Sequence, residues 1–434
     1  MTRGGCVRYC ESWLLGLALS VPCAALEKWT VDEILKTPRL ETAAVSPDGR
    51  YVVYGLAAMS VAENRRLLDL YMVATDGSAT RRVTEDGSLK VAPAWSPDSQ
   101  LVCYLADDAA GHKQVWCVSP NGERPQQMSF ASLGVRSYAW SPDASRLLYL
   151  ASEPDGPEKI AYQKEWGVVI SPEESWPERT SLWLLSRGFQ EARRLTDPSL
   201  SPTAVQWSPD GRLVAFLAGQ PAQIHVLNLS VAAPPRAVTR ASPGVISFAW
   251  SPKGQRIAYV VSEPEPEPYV NLFRRPVYRG LSSVWSLDVG SWASRRLSQD
   301  EYPDLERVLW SRGGSRLVFI ARPPGSRGLR SAHPTMYIMD AGEGSTIRAA
   351  PELDLYRGGS ALSWSADDRE IWFINGERMG SNVFAVDARS GELRRVTSGQ
   401  DCISELTYTA DFRLAAFVRE NANLKPDIYV TPLP

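Results

Sequence analysis

Three histidines, His112, His225 and His333, are the whole supply of imidazole bases in this sequence. They fall at a hairpin, inside an apolar strand and at a loop end, so a histidine-centred acid–base site is not expected. A serine nucleophile would need the Gly-x-Ser-x-Gly elbow that lifts its hydroxyl clear of a strand-to-helix turn. The nearest approach, Gly358-Gly359-Ser360-Ala361-Leu362, lacks the closing glycine and stands just before a tryptophan that ends a strand. The sequence also has no His-Glu-x-x-His, no Cys-x-x-Cys, no phosphate-cradling glycine loop and no calcium loop. No catalytic residue, metal or cofactor is therefore expected on this chain.

Groups suited to binding are better represented. One long stretch carries Tyr162, Glu165, Trp166, Glu173, Glu174 and Trp176, and another carries Tyr269, Phe273, Arg274, Arg275, Tyr278 and Arg279. A third adds Arg327 and Arg330. Aromatic faces beside opposite charges suit a peptide or protein ligand, with Tyr162, Glu165, Trp166, Glu173, Glu174, Arg274, Arg275 and Arg279 as the candidate binding residues. The plainer alternative is that these stretches only pair with each other. The run Glu263-Pro264-Glu265-Pro266-Glu267-Pro268 reads as a stiff, extended spacer.

The elements that must position these groups come from a repeat. Its clearest heads are Val45-Ser46-Pro47-Asp48-Gly49, Trp95-Ser96-Pro97-Asp98, Trp140-Ser141-Pro142-Asp143, Trp207-Ser208-Pro209-Asp210-Gly211 and Trp250-Ser251-Pro252-Lys253-Gly254. Worn copies follow at Trp310-Ser311, Trp364-Ser365 and Tyr408-Thr409. Ser first, Pro second and Gly fourth predict a type I turn, so each head is a hairpin corner and its Asp is a turn former. Short apolar strands follow each corner, and most units close on an Arg-rich strand such as Arg81-Arg82-Val83-Thr84 or Arg394-Arg395-Val396-Thr397. Four-strand units in tandem predict an all-β fold, a seven- or eight-bladed β-propeller of antiparallel blades. The Trp of each head is expected between neighbouring blades, and the outer Arg strand is expected to guard an open edge.

Successive corner hydroxyls stand 50, 45, 67, 43, 60, 54 and 44 residues apart, so units three, five and six are long. Their extra residues lie between the second and third strands. A propeller would send all three insertions to one rim, which is the expected binding surface.

Residues 1–25 read as a signal peptide, with Arg3 and Arg8 before the apolar run Trp13 to Val21 and small residues Cys23, Ala24 and Ala25 at the exit. Residues 26–38 are expected to form a short lead-in helix, in which Thr30 and Glu33 have the spacing of a helix capping box. The propeller then covers 39–434. A net charge of −2 with 22% charged residues gives no field that would favour nucleic acid, and no membrane contact is expected unless the leader stays uncleaved. A periplasmic or secreted location follows. Cys103 and Cys117 fall on neighbouring strands and could pair in an oxidising compartment, although two small buried apolar side chains is the preferred reading.

With corners, strands and Arg-Arg-Leu-Thr endings in view, residues 28–430 resemble the non-catalytic propeller of the prolyl oligopeptidase family. Acylaminoacyl-peptidase and dipeptidyl-peptidase-like members are the nearest in kind, and a TolB-like propeller comes second. The resemblance implies a propeller that binds or gates peptides or proteins; one alternative is a truncated or split serine exopeptidase whose Ser-Asp-His hydrolase domain, absent here, lies on another chain. Glu173 and Glu174 look superficially like the glutamates that hold a substrate amine in dipeptidyl members. A TolB-like periplasmic protein-interaction role is the other alternative.

Overall fold

The computed structural model describes Thr30 and residues 37–433, apart from 123, 167–177, 189–190, 263–268, 271–275, 278–279, 327–331, 352, 354, 356–361, 378–379 and 422. The expected signal peptide, all but Thr30 and two trailing residues of the lead-in segment, and the Glu-Pro spacer lie outside the described residues.

One small network recurs at the corners: the hydroxyl accepts from a backbone N–H in all eight and donates to an Asp in six of them. In the first, Ser46 Oγ donates to Asp48 Oδ1 at 2.7 Å and accepts from the Tyr51 N–H at 3.0 Å, and the Gly49 N–H donates to Ser46 O at 2.9 Å. The most worn corner keeps it, with Thr409 donating to Asp411 at 2.7 Å and accepting from the Leu414 N–H at 3.1 Å. All eight corner hydroxyls are buried, so each removes a polar group from water only by satisfying a backbone N–H. The fourth turn residue is left-handed in every copy, which suits Gly49 (φ 76°) but also holds Ser99, Ala144, Asp368 and Phe412 at φ 56–59°.

In the first blade Arg39–Val45, Tyr51–Ser60, Arg65–Ala74 and Thr80–Arg82 pair in that order as an antiparallel meander. Seven units of this kind succeed one another, and an eighth has three strands, Cys402–Tyr408, Leu414–Asn421 and Leu424–Pro432. The outer strand does more than guard an edge. The Ser or Thr that follows its Arg pair turns its hydroxyl back onto the third strand: Thr84, Ser298 and Thr397 accept from the N–H groups of Leu70, Val284 and Val383, each at 3.0 Å. In the eighth unit the equivalent N–H, that of Ile428, donates instead to Asp427 Oδ1 at 2.8 Å.

The corner tryptophans pack between blades, as their spacing predicts. Trp95 joins Val53, Leu70 and Met72 of the first blade to Val102 and Tyr104 of the second, and Trp310 does the same between the fifth and sixth. A belt of hydrogen bonds onto the inner strands accompanies this packing. Trp95 Nε1 donates to Ala44 O at 2.9 Å, Tyr138 Oη to Ala92 O at 2.7 Å, Trp207 Nε1 to Ala139 O at 3.1 Å, Gln206 Nε2 to Phe248 O at 2.8 Å and Trp310 Nε1 to Ala249 O at 3.0 Å. Arg312 Nε to Trp364 O at 3.2 Å and Ser381 Oγ to Ile403 O at 2.6 Å carry the belt onward, and the Val45 N–H to Thr407 Oγ1 at 3.2 Å closes it. The ring thus joins its last unit to its first through side chains and through the apolar cluster of Ala43, Val45 and Val52 with Ala416 and Val418.

Cys103 and Cys117 form a disulfide, contrary to the preferred expectation of two unpaired apolar side chains. The register explains it: the two residues lie directly opposite each other on adjacent antiparallel strands, with Cα atoms 4.0 Å apart, and both are buried.

Candidate functional site

An antiparallel meander places the corners and the third-to-fourth connections at one end of each blade, and the second-to-third and blade-to-blade connections at the other. The insertions 153–179, 263–280 and 322–334 follow the second strands of blades three, five and six, so all three leave from the same face, as the spacing predicts. The first is not a plain loop. It carries an α-helix, Pro157–Trp166, begun by Pro157 with Glu158 in its first turn and ending near Lys164, an arrangement that fits the helix dipole. Lys159 pairs with Asp155 at 2.8 Å, and Arg136 ties the insertion down through Glu178 at 2.9 Å and Ser152 Oγ at 2.9 Å. Glu153 accepts from Ser181 and Arg194 at its base. The second insertion holds a two-stranded ribbon, Tyr269–Val270 with Pro276–Val277.

Of the candidate residues read from the sequence, Tyr162, Glu165 and Trp166 lie on this helix, and Glu165 is exposed. Glu173, Glu174, Arg274, Arg275 and Arg279 lie outside the described residues, so no convergence of the eight is established.

A different constellation, which the sequence did not suggest, surrounds the central channel on the insertion face. Six of the inner strands break register there: at Glu41/Ala43, Val91/Ala94, Thr203/Gln206 and Ser404/Thr407, and around Arg136 and Ile246. In four of them a non-glycine residue is left-handed, Thr42, Ala92, Ala204 and Glu405 with φ 48–55°, each four residues before its corner hydroxyl. A bulge leaves one residue unpaired and re-aims its neighbours, and left-handed backbone at a non-glycine residue costs about 1 kcal/mol or more. The consequence is exposure within otherwise buried strands: Ala92, Arg136, Ala204, Ile246 and Glu405 are all exposed. Pro93 was the one sequence signal available, because a proline inside a strand marks a bulge or an edge.

Apolar exposure concentrates on the same face. Val61, Phe130 (64% exposed), Leu133, Ile160, Ile246 and Leu309 all lie on its connections or on the channel-side strands, whereas the remaining large exposed hydrophobics, Val231 and Ile347, do not. Beneath them the scaffold is firm. Lys90, buried in the connection between blades one and two, donates to Asp69 at 3.0 Å, to Asp86 and to Ser88 O at 3.0 Å. Burial alone would push the Asp69 carboxyl up, but hydrogen bonds from Arg82 and Lys90 outweigh it and hold that carboxyl below its ordinary value.

The three histidines sit on three different blades, His225 stacked on Phe216 at 5.6 Å. Among the described residues no group of three or more His, Cys, Asp or Glu could hold a metal ion, and no helix is long and apolar enough to cross a membrane.

No known family profile matches the chain. Dipeptidyl-peptidase 5 of Porphyromonas gingivalis is 22% identical over 429 residues, which is 96% of this chain and 56% of that protein, so the chain spans about half the length of this relative. The propeller domain of the Trilobed protease from Pyrococcus furiosus, described as having an open velcro topology, superposes with a TM-score of 0.52 at 15% identity over 91% of this chain and 93% of that one. Acylaminoacyl peptidase from Pyrococcus horikoshii gives a TM-score of 0.55 at 14% identity, covering 93% of this chain and 53% of that one. A TolB-type protein of Agrobacterium tumefaciens covers 60% of the chain with a TM-score of 0.37. The expected resemblance to the propellers of prolyl oligopeptidase-type peptidases is therefore found, and at these identities it establishes the fold.

Proposed function

We propose that this propeller binds or gates polypeptide on its insertion face, without chemistry of its own. The observation that carries the reading is the gathering on one face of three insertions, six exposed large hydrophobics and a ring of bulged inner strands. Exposed apolar groups of this kind mark interaction surfaces, and bulges beside an opening re-aim side chains toward it. The peptidases whose propellers superpose on this one favour a polypeptide as the ligand, and the likeness to dipeptidyl-peptidase 5 favours a hydrolase as the partner. A periplasmic or secreted location is supported by the composition of the leader and by the Cys103–Cys117 disulfide, which belongs in an oxidising compartment.

The test uses the full chain against an array of unstructured peptides, read by fluorescence anisotropy. Saturable binding is expected, weakened about tenfold or more by the double variant Phe130→Asp, Leu133→Asp, since a charge replaces each of two desolvated anchors. Absence of saturable binding across the array would overturn the reading. So would binding that is indifferent both to this variant and to Ile160→Asp.

A further inference from the structure

The junction of blades five and six holds a more specific arrangement than the rest of the rim. Ser247 Oγ donates to the Glu306 carbonyl at 2.5 Å, which locks the bulged inner strand of blade five against the segment leading into blade six. Ile246 (46% exposed) is thereby set beside Arg307 and Leu309 (38% exposed). Burial alternates along Arg307, Val308, Leu309 and Trp310, so Arg307 and Leu309 are exposed while Val308 and Trp310 between and after them are buried. Arg307 has neither an ion pair nor a hydrogen bond among the described residues, whereas most arginines of this fold are engaged.

The segment leading into blade six carries its own support under this trio. An additional strand, Tyr302–Pro303, pairs with Leu281 and Ser282. Tyr302 packs edge-on against Phe319 and Tyr337, with ring centroids 5.0 and 4.9 Å apart. Asp304, left-handed at φ 60°, forms a buried ion pair with Arg322 at 2.8 Å, and the Arg322 N–H donates to Pro303 O at 2.9 Å. A strained turn held by a buried ion pair fixes where residues 306–309 emerge.

We propose that this junction recognises the C-terminal residue of a peptide whose last side chain is apolar. Arg307 takes the terminal carboxylate through its planar fork of donors, and Ile246 with Leu309 packs the side chain. This rests on the reading that the insertion face binds polypeptide. The Glu306 carboxylate is also exposed and opposes an anion, so its removal should favour binding.

The probes are a fluorescein-labelled Gly-Gly-Ala-Leu with a free carboxylate, the same peptide as its C-terminal amide, and Gly-Gly-Ala-Gly as the free acid. On the full chain the free leucine acid is expected to bind about tenfold or more tighter than its amide, the value of one charge-assisted contact. Arg307→Gln should abolish that ratio, Arg307→Lys should restore part of it, and Glu306→Gln should tighten the acid. Ile246→Ser with Leu309→Ser should erase the preference for leucine over glycine while leaving the acid-to-amide ratio. Equal binding of acid and amide, or a ratio that survives Arg307→Gln, overturns the proposal while leaving the rim as a polypeptide surface. Displacement of the peptide by octanoate at equal concentration would assign the site to free carboxylic acids and overturn the peptide part. Failure of every peptide, in this set and in the array, overturns both readings.

Discussion

The two faces of the ring are made by the same repeat and have opposite characters. On the corner face the eight turns repeat one hydrogen-bonded design. Arg146 donates to Gly211 O at 2.8 Å while lying 5.0 Å over the Trp207 ring, and Arg256 repeats the clasp on Gly314 O and Trp310 at the same distances. Blade is thus latched to next blade by one arginine that satisfies a turn carbonyl and covers an indole. The insertion face has no such uniformity: a helix, a ribbon, left-handed non-glycine residues and exposed apolar side chains occupy it. A repeat fixes what every copy must do, so the face that closes the blades is constant and the other face is where copies diverge.

That contrast can be tested in order of expected size. The firmest point of the insertion face should be Lys90, because its removal strips the buried ammonium from Asp69 and Asp86 and leaves Asp69 to Arg82 and Thr84 alone; Lys90→Ala is expected to cost about 3–5 kcal/mol in urea unfolding. A loss below about 1 kcal/mol would show that the scaffold beneath that face is as soft as its rim. Next comes the disulfide. Its partners are 14 residues apart, and Cys117→Ser is expected to cost about 3 kcal/mol, with a matching mobility shift of the wild type on non-reducing gels.

On the corner face, Ser208→Ala removes the acceptor of the Leu213 N–H at 2.8 Å and the donor to Asp210 at 2.6 Å. It should cost about 1–3 kcal/mol and leave peptide affinity untouched. The rim pair Phe130→Asp, Leu133→Asp should do the reverse, shifting stability by no more than about 0.5 kcal/mol per site while weakening binding. If both variants moved both quantities, the division of labour between the faces would be broken.

The smallest effect is in acid. Hydrogen bonds from Ser141 and Ser145 hold Asp143 down to about 2, and those from Thr409 and Arg413 do the same for Asp411. A depressed carboxyl contributes stability that is fully present above its ordinary value of 3.8 and fades as pH falls toward 2. Thermal melts between pH 5 and pH 2 should therefore decline less steeply in Asp143→Asn than in the wild type.

Much of this molecule was legible in its residues because corners and strands are local. Ser, Pro and Asp at fixed spacing dictate a turn whatever surrounds it, and alternating apolar strands after each turn leave few folds but a ring of blades. The uneven corner spacing also determined that three insertions share a face. The chain order alone could not show that Thr84 and its counterparts bond back onto the third strand, that Cys103 stands opposite Cys117, or that Thr407 closes the ring on Val45. Each joins positions whose meeting depends on register or on the turn of the whole circle. The binding surface divides in the same way. Composition singled out the insertions, whereas Ile246, Arg307 and Leu309 became candidates only when bulges and a hydrogen bond between blades brought them to one junction. Exposure inside an otherwise buried strand is a property of packing, and no residue type announces it.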